Sequence, residues 1–204
     1  RRSCPRVVLP PDSGHYSWGA MRRFLLPGLV AAAAVALVAL LVFGIESEGV
    51  SGSLDAALAK GVQMPAPDAN VALPVLGSGK TETLAELKGK VVVLNLFASW
   101  CDPCKAEARI LKQVQRDIHG HDATVLGVTY LDTTTDSEHF VRQEHINYPV
   151  VRDVSGNFAR AWGANGIPET FVIDRAGRVV ALRRYQLAGN WLAQSVNRVL
   201  SQSS

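Results

Sequence analysis

Cysteine and net charge are both scarce in this sequence. Only three cysteines occur among 204 residues, and an apolar run separates Cys4 from Cys101 and Cys104. A scaffold held together by a network of disulfides needs more cysteines than this. The formal net charge is only +3 and several arginines lie before residue 24, so the remainder is close to neutral and has no basic stripe. We therefore expect no nucleic-acid partner.

A long run without any charged residue lies near the N-terminus. Residues 25–45 read LLPGLVAAAAVALVALLVFGI. A helix of this length, at about 1.5 Å per residue, reaches about 30 Å, the thickness of the hydrocarbon core of a bilayer. The run therefore predicts a single transmembrane helix, and a cleaved signal peptide is the alternative.

The charges that flank the run predict its orientation. Arg22 and Arg23 precede it, whereas Glu46 and Glu48 follow it. Basic residues stay on the cytoplasmic side of a membrane. Residues from 46 onward are therefore expected outside the cytoplasm.

The composition divides the chain into four segments. Residues 1–20 have no periodic apolar pattern, and Met21 is followed by two arginines, so we expect a non-native or disordered leader and a translation start at Met21. The predicted anchor covers 21–45. Residues 46–70 are rich in Gly, Ser, Ala and Pro, which predicts a flexible linker. The remaining residues, 71–204, are expected to form one globular domain.

Strands and helices alternate along the globular part. Hairpins are predicted around the Gly-Ser-Gly turn at 77–79 and the Arg-Ala-Gly turn at 175–177. Between them, apolar β-branched runs alternate with amphipathic stretches, which is typical of an α/β domain. The predicted strands cover 71–76, 80–83, 90–97, 124–130, 148–152, 169–174 and 178–185, and the predicted helices cover 84–88, 102–119, 137–145, 157–162 and 190–200.

The C-x-x-C pair lies where the strand at 90–97 leads into the helix at 102–119. Unpaired N–H groups and the positive end of the helix dipole stabilise a thiolate there, so Cys101 is the expected nucleophile. Cys104, one turn later, can reach its sulfur and is the expected resolving thiol. Asp102 and Pro103 shape the turn between them. The expected apolar face of this helix consists of Ala106, Ile110, Leu111, Val114 and Ile118.

A zinc site is the alternative use of a C-x-x-C pair, and it needs two further ligands. His119 and His121 are the closest pair of histidines, at the far end of the same predicted helix. At about 1.5 Å per residue they lie roughly 20 Å from the cysteines, so they cannot share a metal with them. We therefore predict no metal site.

Two stretches of the sequence resemble the thioredoxin superfamily. They are VVVLNLFASWCDPCK at 91–105 and GIPETFVIDRAG at 166–177. Within the superfamily, the sequence is similar to the membrane-anchored TlpA-like and ResA-like branch, especially the cytochrome c maturation reductants of the CcmG/DsbE-like kind. The resemblance implies an α/β thioredoxin-like fold with an N-terminal β-hairpin and a central αβ insertion, preceded by the single transmembrane helix.

The resemblance also implies roles for residues outside the cysteine pair. Pro168 is expected to be a cis-proline facing the disulfide, although a trans bond would be the default for Ile167-Pro168 from the sequence alone. The backbone of Ile167 is expected to pair with a substrate strand. Independently of the resemblance, Trp100 next to Cys101 is expected to lie in the substrate-binding surface as a partial lid that shields the sulfur from water, with direct recognition of the substrate as the alternative.

Two glutamates are the candidate proton carriers. Thioredoxin has a buried Asp six residues before its first cysteine, and Asn95 occupies that position here. An amide cannot accept the proton that the resolving thiol loses. The resemblance assigns this task to Glu107, with a solvated surface glutamate as the alternative, and Glu169 matches the Pro-Glu-Thr pattern of the maturation reductants. Both carboxylates would oppose thiolate formation, which favours a reductant.

The implied function is an extracytoplasmic, membrane-anchored thiol-disulfide oxidoreductase. Its implied substrate is the C-x-x-C-H disulfide of apocytochrome c, and its implied partner is a polytopic membrane protein that returns it to the dithiol form. The redox-active disulfide is the expected redox group, with no further cofactor.

Three alternatives remain open. A general extracytoplasmic disulfide reductase would have the same motifs. A peroxiredoxin usually has Thr or Ser three residues before its reactive cysteine, where this chain has Ala98. A Sco-like copper chaperone has three residues between its cysteines and a distal histidine, for which His139 and His145 are the candidates.

Overall fold

The computed structural model describes residues 33–35, 37–38 and 49–202. The chain divides into two units, Arg1–Ser47 and Glu48–Ser204, and the described residues of the first unit are helical. Among all described residues, no helix combines the length and apolar character needed to cross a bilayer. The predicted leader at 1–20 and most of the predicted span at 25–45 lie outside the described residues.

The second unit contains a six-stranded mixed sheet and a separate two-stranded hairpin. The strands are β1 (Met64–Pro65), β2 (Leu73–Pro74), β3 (Thr81–Glu82), β4 (Val91–Phe97), β5 (Ala123–Tyr130), β6 (Val150–Asp153), β7 (Glu169–Ile173) and β8 (Arg178–Arg184). The helices are α1 (Gly49–Ala59), a 3-10 helix (Leu84–Leu87), α2 (Asp102–Asp117), α3 (Thr134–Gln143), α4 (Asn157–Ala161) and α5 (Trp191–Ser201). The sheet order is β1-β8-β7-β4-β5-β6, and β2 pairs with β3.

Strand β4 lies at the centre of the sheet and all seven of its residues are buried. It pairs in parallel with β5 and antiparallel with β7. Because successive side chains of a strand point to opposite faces, a strand covered on both sides is apolar throughout, which explains the run VVVLNLF. Val91, Val93 and Phe97 pack with residues of α2, α3 and α5, whereas Val92 and Leu94 face the other cluster, which includes α1 and α4.

The structure confirms the predicted α/β fold. Both predicted hairpins form, around the turns at 77–79 and 175–177. Helix α3 and strand β6 come between β5 and α4, as expected for the central αβ insertion. Each predicted strand and helix of the globular part is present, with differences of a few residues at the ends.

The predicted linker at 46–70 is where the structure differs most. It contains helix α1 and strand β1, and β1 pairs with β8. Leu54 of α1 is buried in the cluster that also contains Phe171 and Val179. The folded domain therefore begins near residue 49 rather than at 71, because Leu54 attaches a small-residue helix to the sheet.

Candidate active site

Cys101 and Cys104 form a disulfide at the N-terminus of α2. Their Cα atoms are 5.3 Å apart. Cys101 is the N-cap residue of this 16-residue helix, and its Sγ accepts a hydrogen bond from the backbone N–H of Cys104 at 3.3 Å. That N–H and the helix dipole would stabilise a thiolate on Cys101 once the disulfide is reduced. Both cysteines are buried, with 5% and 3% exposed.

The residues between the cysteines begin the helix. Pro103 lies in the first turn of α2, where its missing N–H costs no hydrogen bond and its fixed φ suits the helix. Asp102 is exposed and forms an ion pair with Lys105 at 2.8 Å. The hydrogen bond from Lys105 lowers the pKa of Asp102. This turn therefore has the shape that the sequence predicted.

The segment before β7 lies across a cavity from Trp100. The Ile167–Pro168 peptide bond is cis, as the resemblance implies. Ile167 packs against the core cluster that contains both cysteines. Trp100 is 59% exposed, so it does not bury the disulfide by itself. A cavity of about 280 Å³ is lined by Trp100, Tyr130, Ala164, Asn165, Gly166 and Ile167.

Glu107 is buried beneath the cysteine pair rather than solvated. It is 1% exposed and lies on the same face of α2 as Cys104. Its Oε1 accepts a short hydrogen bond from the backbone N–H of Leu187, and its Oε2 accepts one from Asn95 Nδ2 at 3.4 Å. The predicted apolar face of α2 is wrong by one residue, because Ala106 is exposed while Glu107 and Ala108 are buried.

The environment of Glu107 makes it a suitable proton carrier near neutral pH. Burial raises its pKa to about 7, against the lowering effect of the hydrogen bonds from Leu187 and Asn95. A carboxyl group with such a pKa can accept and return a proton under physiological conditions.

Asn95 connects Glu107 to the strand that follows the cis-proline. Its Nδ2 also donates to Thr170 Oγ1 at 3.0 Å and to the backbone carbonyl of Glu169 at 3.5 Å. The amide has donors to offer where a carboxylate would have none. Asn95 therefore orients Glu107 instead of exchanging protons itself.

The carboxylate of Glu169 lies on the opposite face of the sheet from Glu107. Thr170 points toward Asn95, so its neighbour Glu169 points away, toward the cluster of Phe171. The side chain is 1% exposed and forms an ion pair with Arg184. Burial raises the pKa of Glu169, and Arg184 opposes this effect. The structure thus brings Glu107, but not the Glu169 carboxylate, to the face of the sheet on which the cysteines lie.

Asp132 is a structural residue of the site that the sequence analysis did not identify. Its carboxylate accepts hydrogen bonds from Ser99 N (2.8 Å), Ser99 Oγ (2.9 Å), Ser137 Oγ (3.0 Å) and Thr133 N (3.0 Å). It therefore fixes the turn that precedes Trp100. Because β4 and β5 are adjacent parallel strands, the residues that follow their carboxyl ends lie close together. The sequence could therefore have indicated the contact between Ser99 and Asp132.

The four histidines that the structure describes do not form a ligand set with the disulfide. His119 and His121 follow the C-terminal end of α2, and His139 and His145 are exposed on or just after α3. Within the described part of the chain, no three side chains of His, Cys, Asp or Glu are grouped so that they could hold a metal ion.

Comparisons with known proteins agree with this geometry. The model of the AhpC/TSA family matches residues 62–182. The thiol-disulfide oxidoreductase ResA of Bacillus subtilis (strain 168) is 30% identical over 103 residues, which cover 50% of this chain and 58% of ResA. The thiol:disulfide interchange protein HelX of Rhodobacter capsulatus is 31% identical over 133 residues, which cover 64% of this chain and 73% of HelX.

A solved structure has the same fold. The crystal structure of a thiol:disulfide interchange protein of the thioredoxin family from Chlorobium tepidum TLS superimposes with a TM-score of 0.60 and 28% sequence identity. The superposition covers 68% of this chain and 97% of that one. The alignment with ResA, by contrast, spans little more than half of that protein's length, 58%.

Proposed function

Because the chain belongs to the AhpC/TSA family and has a thioredoxin-like fold, we propose that it is a thiol-disulfide oxidoreductase whose redox group is the Cys101–Cys104 pair. One observation carries the proposal: a disulfide caps the N-terminus of α2. The proposed reaction needs no other redox cofactor, because two thiols store both electrons.

The reaction exchanges one disulfide for another. The Cys101 thiolate attacks one sulfur of a target disulfide, which forms a mixed disulfide and releases the other target sulfur as a thiolate. The Cys104 thiolate then attacks the sulfur of Cys101, which forms the Cys101–Cys104 bond and releases the second target sulfur. The target gains two electrons and two protons, and a dithiol reductant must restore the oxidised protein.

Glu107 handles the proton of Cys104 in this scheme. It lies one helical turn after Cys104 on the same buried face, and burial holds its pKa at about 7. Protonated, it leaves Cys104 as a neutral thiol; deprotonated, it can take the thiol proton when resolution begins. Its negative charge also disfavours a resting thiolate on Cys104, which favours a reductant over a strong oxidant.

The substrate and location are narrower proposals. The Pro-Glu-Thr sequence at 168–170 supports apocytochrome c as the substrate, since it matches the pattern of the maturation reductants. The apolar run at 25–45 and its flanking charges support a single-pass anchor, with the domain on the outer side of the cytoplasmic membrane. A polytopic membrane thiol protein is the proposed reductant.

Trapping of the mixed disulfide tests the proposal. Cys104→Ser in the full chain removes the resolving thiol, so native membranes should yield a covalent adduct through Cys101 that dithiothreitol releases. The double variant Cys101→Ser with Cys104→Ser is the matched control and should yield none. An adduct with a C-x-x-C-H protein supports the apocytochrome proposal, whereas adducts with unrelated proteins overturn it in favour of a general reductase.

Two further measurements separate the rival functions. If the reduced wild-type chain cleaves no disulfide, the oxidoreductase proposal fails. Consumption of hydrogen peroxide at a rate comparable with disulfide cleavage would identify a peroxidase instead. Tight copper binding that depends on His139 or His145 would identify a copper chaperone.

A further inference from the structure

Arg184 of β8 contacts two carboxylates that come from different parts of the chain. Its Nη1 forms an ion pair with the buried Glu169 of β7, and its Nη2 contacts Asp55 Oδ2 of α1 at 2.8 Å. The guanidinium also lies over the ring of Phe171, 5.6 Å from its centroid. A planar guanidinium can bridge two carboxylates in this way, whereas a lysine ammonium cannot fix both directions at once.

The same Glu169 carboxylate holds one wall of the cavity that Trp100 lines. Its Oε1 accepts a hydrogen bond from the backbone N–H of Asn165 at 3.1 Å. Asn165 lies in the segment 164–167 that faces Trp100 across the cavity and leads into the cis Ile167–Pro168 bond. A continuous series of polar contacts therefore runs from Asp55 through Arg184 and Glu169 to this wall.

A contribution to folding stability does not by itself explain the ion pair of Asp55 with Arg184. Leu54, which is 4% exposed, already attaches α1 to the core, and Asp55 has a side chain that is 47% exposed. An ion pair with that exposure contributes little to folding stability. Its evident effect is to restrict Arg184, and thereby the direction of the Glu169 carboxylate toward Asn165.

We propose that Asp55 and Arg184 are positioning residues for the target disulfide, which makes helix α1 a part of the target-binding apparatus. They act through Glu169 on the backbone of 164–167, against which a disulfide-bearing peptide would lie. The inference rests on the proposed oxidoreductase function. It assigns the Asp55–Arg184–Glu169 series to binding and leaves sulfur chemistry to the cysteines and Glu107.

Kinetics of the full chain test this inference. The probe is a peptide with an intramolecular C-x-x-C disulfide, and the variants are Asp55→Asn, Asp55→Glu and Arg184→Lys. Asp55→Asn should raise KM about two- to fivefold with kcat unchanged, because it loosens a part-exposed contact that positions bound target. Arg184→Lys should raise KM at least as much. Asp55→Glu, which keeps the negative charge, should have the wild-type KM.

Two readouts distinguish positioning from general damage to the fold. The equilibrium of Cys101–Cys104 with glutathione should not change in Asp55→Asn, and amide exchange in 164–167 should become faster. The matched control is Asp174→Asn, which removes another Asp–Arg ion pair, Asp174–Arg178 (2.7 Å), at the far end of β8. It should leave both KM and the amide exchange of 164–167 at wild-type values.

The possible failures are separable. If wild-type protein reduces the peptide but Asp55→Asn has the same KM, the positioning inference is wrong and the oxidoreductase proposal stands. If Asp174→Asn raises KM as much as Asp55→Asn, the effect is a general loss of stability and the inference is again wrong. If wild-type protein does not reduce the peptide at all, the proposed function itself fails.

Discussion

Replacement of Glu107 by Gln should remove a pH dependence of folding stability. The buried carboxyl has a pKa of about 7 in the folded protein, against an ordinary value of 4.5. Between these two values the folded state keeps a proton that the unfolded state releases, so the free energy of unfolding decreases as pH rises. At about 1.4 kcal/mol per pH unit, the contribution of Glu107 to the free energy of unfolding should fall by about 3 kcal/mol across this window.

Urea unfolding of the oxidised protein measures this loss. The disulfide keeps both cysteines from titrating, and Glu169, whose pKa burial also raises, is present in both wild type and variant. The free energy of unfolding of wild type minus that of Glu107→Gln, measured at several pH values between about 4 and 8, should therefore decrease by about 3 kcal/mol as pH rises. The variant should also carry a constant cost of about 1 kcal/mol, because the amide of Gln would face the amide of Asn95.

Two results would refute this reasoning. Parallel curves for wild type and Glu107→Gln across the window would show that water reaches the carboxyl group. A difference that grows in the opposite direction would show that Glu107 is stabilised as an anion. Glu138→Gln is the control for loss of a helical carboxylate, and it should follow the wild-type curve because Glu138 lies in a solvated i,i+4 pair with Arg142.

Three other substitutions test separate parts of the structure. Leu54→Ala should cost about 2 to 4 kcal/mol in urea unfolding, and a cost near zero would show that α1 is the linker the composition suggests. Asp132→Ala should cost about 1 to 3 kcal/mol, because the half-buried donors of Ser99 and the buried hydroxyl of Ser137 lose their acceptor; an unchanged midpoint would contradict this. Trp100→Ala should alter stability by less than about 0.5 kcal/mol because the ring is exposed, while kcat/KM for peptide disulfides falls; unchanged kinetics would remove Trp100 from the binding surface.

The sequence predicts the fold well where the hydrophobic pattern is strong. Strand β4, the two hairpins and helix α2 are found as expected. Helix α1 could not be predicted because Gly, Ser and Ala dominate it, and its attachment depends on Leu54 meeting a cluster built mainly from later parts of the chain. Local composition has no information about that contact.

The site shows the same limit at individual residues. A periodicity argument counts every glutamate as polar, so it cannot place Glu107 inside; only the resemblance pointed to it. The pairing of Glu169 with Arg184 could have been predicted from the sequence, because the predicted hairpin puts the two residues directly opposite each other. The contact of Arg184 with Asp55 could not have been predicted, because 129 residues separate them along the chain.

Residues that precede β4 in the chain cover the outer edges of both β8 and β6. Strand β1 pairs with β8 on one side, and on the other Val75 bridges to Val151 of β6 while Leu76 donates to the carbonyl of Val150. Open strand edges invite pairing with other molecules, and proteins reduce that pairing with very short edge strands or with chain that covers the edge. The short strand β1 and residues 75–76 therefore cover the edges of β8 and β6, which disfavours pairing between the sheets of neighbouring copies.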